Sequence, residues 1–280
     1  AYQNRYRTDS LYLKEMCKSD ELGEIYFAKA HALRRRAVPT WGVFLNEEEQ
    51  GGGPLIDIGT HALDLTLWMM DNYEVQSVTG ASFHKLSDQT DQGNAFGNWD
   101  PDKFCVEDSA FGFIRMKNGA VIELESAWAL NTLEVDEAKT SLCGTKAGAD
   151  MKDGLRINYI HHNTQVVEKP ELSSGGVAFF SGKEKSAADY EQELFYHIVV
   201  DGAEQVVKPA QAAVVTRIWK QSTSPQKVAR QSTLSKYGLI CFGLIYGEMN
   251  IRNKRIEHKE YLWKYMNYSN CCQKCHYRKK

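Results

Sequence analysis

Gly51-Gly52-Gly53-Pro54-Leu55-Ile56-Asp57-Ile58-Gly59-Thr60-His61-Ala62-Leu63-Asp64-Leu65, followed by Trp68, is the stretch from which the rest of the chain can be read. Three glycines and a proline break whatever precedes them. Beyond the break, Leu55, Ile58, Ala62, Leu65, Trp68 and Met69 recur at helical spacing, which predicts a buried or half-buried helix. Positions four apart on a helix share a face, so Asp57 and His61 are expected to project together. A carboxylate beside an imidazole orients it and raises its pKa, giving an acid–base group near neutral pH. From spacing alone the plainer reading comes first: a helix-start Asp and a satisfied core His. The preceding glycines, which let backbone approach closely, add some weight to the functional reading.

Outward from this helix the elements alternate. Tyr2–Tyr6 reads as the end of a strand, and Thr8 or Asp9 caps a helix reaching about Cys17. Residues 22–33 form an extended run. Downstream, residues 109–116 and 120–127 flank Lys117-Asn118-Gly119, and Asn-Gly between alternating apolar runs is a strong hairpin signal. Further strands are expected at 140–143, 155–159 and 164–167. Residues 187–200 read as a helix, and Pro209 sits in the first turn of another that reaches Ile218. A strand-rich middle bracketed by helices implies an α+β fold with a largely antiparallel sheet.

The composition is that of a globular protein: 280 residues, 42% hydrophobic, 25% charged, net charge −2. Collagen-like, low-complexity and wholly disordered classes are excluded. The longest apolar run, Tyr237–Gly247, falls short of the roughly 20 residues that a membrane helix needs, and no signal-peptide pattern opens the chain. The expectation is a chain without membrane association, and three scattered cysteines before residue 219 suggest a reducing cytoplasm without a disulfide framework. The first residue is Ala rather than Met, which leaves the true start open. The charge is unevenly spread. From Trp219 onward there are 13 Lys and Arg against Glu248, Glu257 and Glu260, whereas residues 1–218 carry a net −12.

The block 51–68 resembles the signature of the Gfo/Idh/MocA oxidoreductases, NAD(P)-dependent dehydrogenases of sugars, inositols and related polyols. The resemblance extends through Gln3-Asn4-Arg5-Tyr6-Arg7, Gly23-Glu24-Ile25, Arg35-Arg36 and Pro39-Thr40-Trp41-Gly42. It continues in Glu107-Asp108, Asn118-Gly119, Ser126-Ala127-Trp128, Gly144-Thr145-Lys146-Ala147-Gly148 and Thr216-Arg217-Ile218. It implies the C-terminal domain of such a dehydrogenase, with a large, mostly antiparallel open sheet and flanking helices. On this reading residues 1–20 are a remnant of the dinucleotide-binding Rossmann domain, and 21–218 form the substrate-binding and oligomerisation domain. Residues 219–280 make an aberrant basic tail.

The family's catalytic set is a Lys from a Glu-Lys-Pro motif with Asp and His from the helix quoted above. The resemblance implies that His61 takes the substrate hydroxyl proton. Asp57 orients the hydroxyls or the imidazole, and the absent Lys stabilises the developing alkoxide. It places Arg5 near the nicotinamide edge, with Arg36 and Trp41 lining the substrate pocket, although packing or solvated roles fit both of these as well. NAD or NADP is the implied cofactor and a sugar or polyol the small-molecule substrate. A homo-oligomer through the sheet is the implied assembly; no metal and no nucleic acid are.

The departures are equally informative. No G-x-G-x-x-G occurs, so the Rossmann domain is expected to be largely missing and the chain inactive alone. Glu168-Lys169-Pro170 spells the catalytic tripeptide but follows the Asp–His helix, where the family has it earlier, and it reads as coincidence. Gly176–Lys183 has the wrong spacing for a P-loop. After Ile218 the family expects a helix, and one inserted base after that codon restores Leu-Glu-Ala-Ile-Tyr-Ile-Ser-Ala-Lys-Ser-Gly-Lys-Ala-Val-Tyr-Phe in register. The tail is therefore expected to be out of frame and poorly ordered. The competing reading takes Cys271-Cys272-x-x-Cys275-His276 and the basic residues at face value, as a tail binding zinc or nucleic acid. A non-catalytic oligomerising domain is the other alternative.

Overall fold

A computed structural model describes residues 2–172 and 186–223, which belong to one compact unit. The P-loop-like run at 176–183 and the Cys-rich tail lie outside the described residues.

Eight strands form one sheet: β1 (Ile25–Leu33), β2 (Val75–Phe83), β3 (Ser109–Met116), β4 (Val121–Ala127), β5 (Asp136–Gly144), β6 (Ala147–Asp150), β7 (Arg156–His161) and β8 (Thr164–Glu168). Their order across the sheet is β2-β3-β4-β1-β5-β6-β7-β8. Every neighbouring pair is antiparallel except β1 and β4, which run parallel with Leu33 opposite Ala127. The large, mostly antiparallel sheet is thus as expected. So is the hairpin at Asn118-Gly119, where Gly119 adopts a left-handed φ of 93° and joins β3 to β4.

The helices are α1 (Thr8–Lys18), the short α2 (Glu47–Gln50), α3 (Thr60–Met70), α4 (Ala187–Asp201) and α5 (Pro209–Thr223). Period-two alternation directs Ala28, Ala30 and Ala32 of β1 toward the helices, where α3 packs on β1 and β5. Small residues on the strand let the helix approach closely. Along α3, Ala62, Leu63, Leu65, Leu67, Trp68 and Met69 are all buried, so it is a core helix. Helix α5 lies over β2 and β3. The other sheet face carries the Lys29–Glu123 pair (3.2 Å) with Phe111 and Phe113 close by.

Three expectations change. Gln3–Tyr6 is one 3₁₀ turn rather than a strand end, because its side chains are drawn inward to α3, α4 and α5. Helix α5 runs past Ile218 to Thr223, with Val215, Ile218 and Ser222 buried on its inner side. Strands β2 and β6 appear where none was expected. Residues 1–20 pack within the same compact unit as the sheet, α1 lying against α3.

Candidate active site

The break before α3 is held by one carboxylate. Glu107 accepts from the backbone N–H of Gly53 (2.8 Å) and Leu55 (3.3 Å), and Ser126 Oγ donates to the Pro54 carbonyl (2.8 Å). A side chain at Gly53 would place its Cβ 2.2 Å from the Glu107 carbonyl oxygen, so only glycine fits. Burial raises the Glu107 carboxyl above its ordinary value, and the two backbone N–H groups oppose the shift.

Residues Leu55–Gly59 form a single π-helical turn, and the α-helix proper begins at Thr60. Such turns are rare and concentrate at functional sites. The π turn changes the expected geometry. Asp57 lies in the wide turn and His61 in the first α turn, and they share no hydrogen bond. Asp57 Oδ2 instead accepts from the Trp128 indole N–H (2.8 Å), with Arg34 Nη1 at 4.0 Å. Arg34 is in turn gripped by Glu137 through two hydrogen bonds of 2.7 Å. The Asp57 side chain is 23% exposed, and Oδ1 accepts no hydrogen bond from the described residues.

The sheet explains this grouping. Leu33 and Ala127 are opposite one another at the C-terminal ends of the parallel pair, and the next residues, Arg34 and Trp128, emerge side by side. Arg34 N–H donates to the Ala127 carbonyl (2.8 Å), and Trp128 N–H to the Asp108 carbonyl (3.1 Å).

His61 is largely buried, its ring 6.1 Å from Tyr2 in an edge-on contact. Its Nδ1 is buried without a hydrogen-bond partner among the described residues. Burial lowers the imidazole pKa below its ordinary value, outweighing the upward pull of Asp57 and Glu137. Asp57 pulls the imidazole upward, as expected, but burial outweighs that pull, and the two side chains share no hydrogen bond because the Trp128 indole takes Asp57 Oδ2. Burial also raises the Asp57 carboxyl, against the Trp128 hydrogen bond and Arg34.

Trp41 is half exposed, its ring edge-on to Phe96 (5.0 Å) and Phe44 (5.8 Å); Phe44 in turn meets Trp128 (6.2 Å). It thus belongs to an aromatic wall that leads to Asp57. The Arg36 guanidinium turns away, bonded to the Arg35 carbonyl (2.8 Å) and Asn131 Oδ1 (2.7 Å). Arg5 is fully enclosed. It makes two hydrogen bonds to Asp64 (2.8 and 2.6 Å) and reaches the Val206 carbonyl and Gln211 Oε1, each at 2.9 Å. These contacts tie the N-terminal turn to α3 and α5.

A family model described as the GFO/IDH/MocA C-terminal domain matches residues 10–150, half of the chain. The chain belongs to the Gfo/Idh/MocA family. It is similar to a D-glucoside 3-dehydrogenase of Escherichia coli (strain K12), 47% identical over 150 residues, which is 54% of this chain and 42% of that protein. The chain thus spans about two fifths of that relative. Among solved structures, an aldose-aldose oxidoreductase from Caulobacter crescentus, complexed with glycerol, superposes with a TM-score of 0.58 at 17% identity. That match covers 79% of this chain and 60% of the other. A levoglucosan dehydrogenase in complex with NADH and L-sorbose gives 0.61 at 17% identity over 79% and 62%. These two establish the fold shared with sugar oxidoreductases of the family.

The family's dinucleotide finds no cradle in the described residues. No strand leads through a glycine-rich turn into a helix. The one triple glycine before a helix has the N–H groups of Gly53 and Leu55 already taken by Glu107, so that helix start offers no phosphate site. No group of three or more His, Cys, Asp or Glu among the described residues is placed to hold a metal. Nor is any described helix long and apolar enough to cross a membrane.

Proposed function

We propose that this chain is the substrate-binding, proton-handling domain of an NAD(P)-dependent dehydrogenase that oxidises a CH–OH group of a sugar, inositol or related polyol. A pyranose glycoside is the favoured substrate class, after the D-glucoside 3-dehydrogenase it resembles. The observation that carries the reading is His61: an imidazole kept neutral by burial, with an unpartnered ring nitrogen beside a tethered carboxylate. A neutral imidazole takes a proton at neutral pH, the requirement for a general base on a hydroxyl. Asp57 Oδ1 accepts a hydrogen bond from a substrate hydroxyl and so sets which oxygen faces His61. Trp41 and the aromatic wall line the approach with apolar surface suited to a sugar ring's C–H face.

NAD or NADP is the oxidant in this reading, held by a dinucleotide-binding domain that this chain does not supply. Arg5 contributes indirectly, by bracing α3. The chain by itself is expected to show no saturable NAD binding in a calorimetric titration. With a dinucleotide-binding half supplied upstream, sugar-dependent reduction of NAD or NADP is expected, and His61→Ala lowers kcat by about 10²–10⁴-fold. A His61→Ala enzyme with unchanged kcat refutes the assignment.

Two accompanying proposals concern the setting. The sheet face opposite the helices, with Phe113 38% exposed, is proposed to pair with a second copy in the cytoplasm; a monomer in light scattering at high concentration refutes the pairing. The charge reversal at residue 219 supports a shifted frame after Ile218, and an unshifted gene sequence across that codon refutes it.

A further inference from the structure

We propose that Trp128, Arg34 and Glu137 are the positioning residues of this site: the indole and the guanidinium fix one oxygen of Asp57, Glu137 fixes the guanidinium, and the other oxygen is left for substrate rather than for His61. The inference deepens the dehydrogenase reading and, as far as Asp57's task is concerned, rests on it.

The turn that carries Asp57 is packed against α3, β4, β1 and β5. Each of these elements contributes one polar or charged group. His61 comes from α3, Trp128 from the end of β4, Arg34 from the end of β1 and Glu137 from β5. Trp128 is fully buried, so its N–H has no route to water and its 2.8 Å bond to Oδ2 fixes the carboxylate plane. Arg34 stands 4.0 Å from the same oxygen, too far for a hydrogen bond but close enough for its charge to act. The double bond from Glu137 keeps it there: a bidentate carboxylate holds a guanidinium in one plane and draws it back from Asp57. Glu137 therefore works in two senses, anchoring the cation that stabilises ionised Asp57 and adding a negative charge that opposes it. Oδ1 has no described partner, and His61 Nδ1 has none either. The carboxylate is thus held rigidly from behind through Oδ2, which leaves Oδ1 as the oxygen that can accept from a substrate hydroxyl.

The test needs neither cofactor nor substrate. The full chain is labelled with ¹⁵N-Trp, and the six indole N–H resonances are followed against pH. Trp128→Phe identifies the one that reports on Asp57. That resonance is expected to shift with a single midpoint, and Asp57→Asn is expected to abolish the shift. Arg34→Gln raises the midpoint by about one pH unit, Arg34→Lys largely restores it, and Glu137→Gln moves it in the opposite direction, downward. The other five indole resonances report whether each variant is folded. A Trp128 indole that does not titrate in the folded chain overturns the proposal, as does a midpoint that Arg34→Gln and Glu137→Gln leave unchanged or move the same way. Because no turnover is measured, this outcome is separate from whether the enzyme oxidises a sugar.

Discussion

Replacing Arg5 with Met removes the cation from the most enclosed ion pair in the described structure. Asp64 is then left with both carboxylate oxygens unpaired in a site where the two side chains are 0% and 2% exposed. Breaking one side of a buried pair costs about 3–5 kcal/mol, most of it from the stranded charge. The Val206 carbonyl and Gln211 Oε1 lose their donor as well, which puts the expected loss toward the upper end. For a unit of this size, about 4 kcal/mol corresponds to a fall in Tm of roughly 8–16 °C. The assay is urea unfolding of Arg5→Met, Asp64→Leu and the double variant. The double variant is expected to recover much of the loss, because it buries no charge. A loss under about 1 kcal/mol for Arg5→Met, or a double variant equal to the sum of the singles, would refute the bracing role. In that event Arg5 becomes free again for the nicotinamide edge.

Three further outcomes are expected. Gly53→Ala forces a Cβ onto the Glu107 carbonyl at 2.2 Å; it should lower Tm by several degrees and perturb the Trp128 indole environment, read by near-UV circular dichroism. His61, with its folded pKa depressed, contributes stability above its unfolded pKa of about 6.5 that is lost as pH falls toward the folded value. Denaturation between pH 7.5 and 5 should therefore show a slope of up to about 1.4 kcal/mol per pH unit from this group, flattened in His61→Leu. Ser186→Ala opens the capping box of α4, in which Ser186 Oγ accepts from Asp189 N–H (3.1 Å) and Asp189 Oδ2 from Ser186 N–H (3.1 Å). About 1 kcal/mol of helix stability should go, seen as faster amide exchange in the first turn.

Local signals carried much of the architecture. Asn118-Gly119 marked its hairpin because only a residue tolerant of positive φ makes that turn, and the period of Leu55 to Met69 marked α3 because nearly every side of that helix is buried. Strand β2 stayed hidden: its exposed edge position leaves Gln76, Ser77, Thr79 and Ser82 polar, with no alternation to read. The π turn also has no local signature. It follows from Glu107, far along the chain, drawing on the Gly53 and Leu55 N–H groups. In the site, Asp57 and His61 could be read because they are close in sequence. Trp128, Arg34 and Glu137 could not, since the pairing of β1 with β4 and with β5 across the sheet is what brings them together, and nothing in the arginine run distinguishes Arg34, aimed at the site, from Arg36, aimed at Asn131. Arg5 was given a cofactor role by the family resemblance, and its enclosed pair with Asp64 could not be foreseen because the two residues are distant in sequence.

The single parallel pairing also sets when the site can exist. Antiparallel hairpins such as β3–β4 close locally and early, but β1 meets β4 only after the whole intervening chain, α3 included, has been looped out. Arg34 and Trp128 sit one residue beyond the last rung of that pairing, so Asp57 acquires its two holders only when this long-range contact is complete. A partly folded chain can therefore contain a formed α3 and hairpin without a competent site. Loosening of the last β1–β4 rungs should release Asp57 before the rest of the sheet gives way.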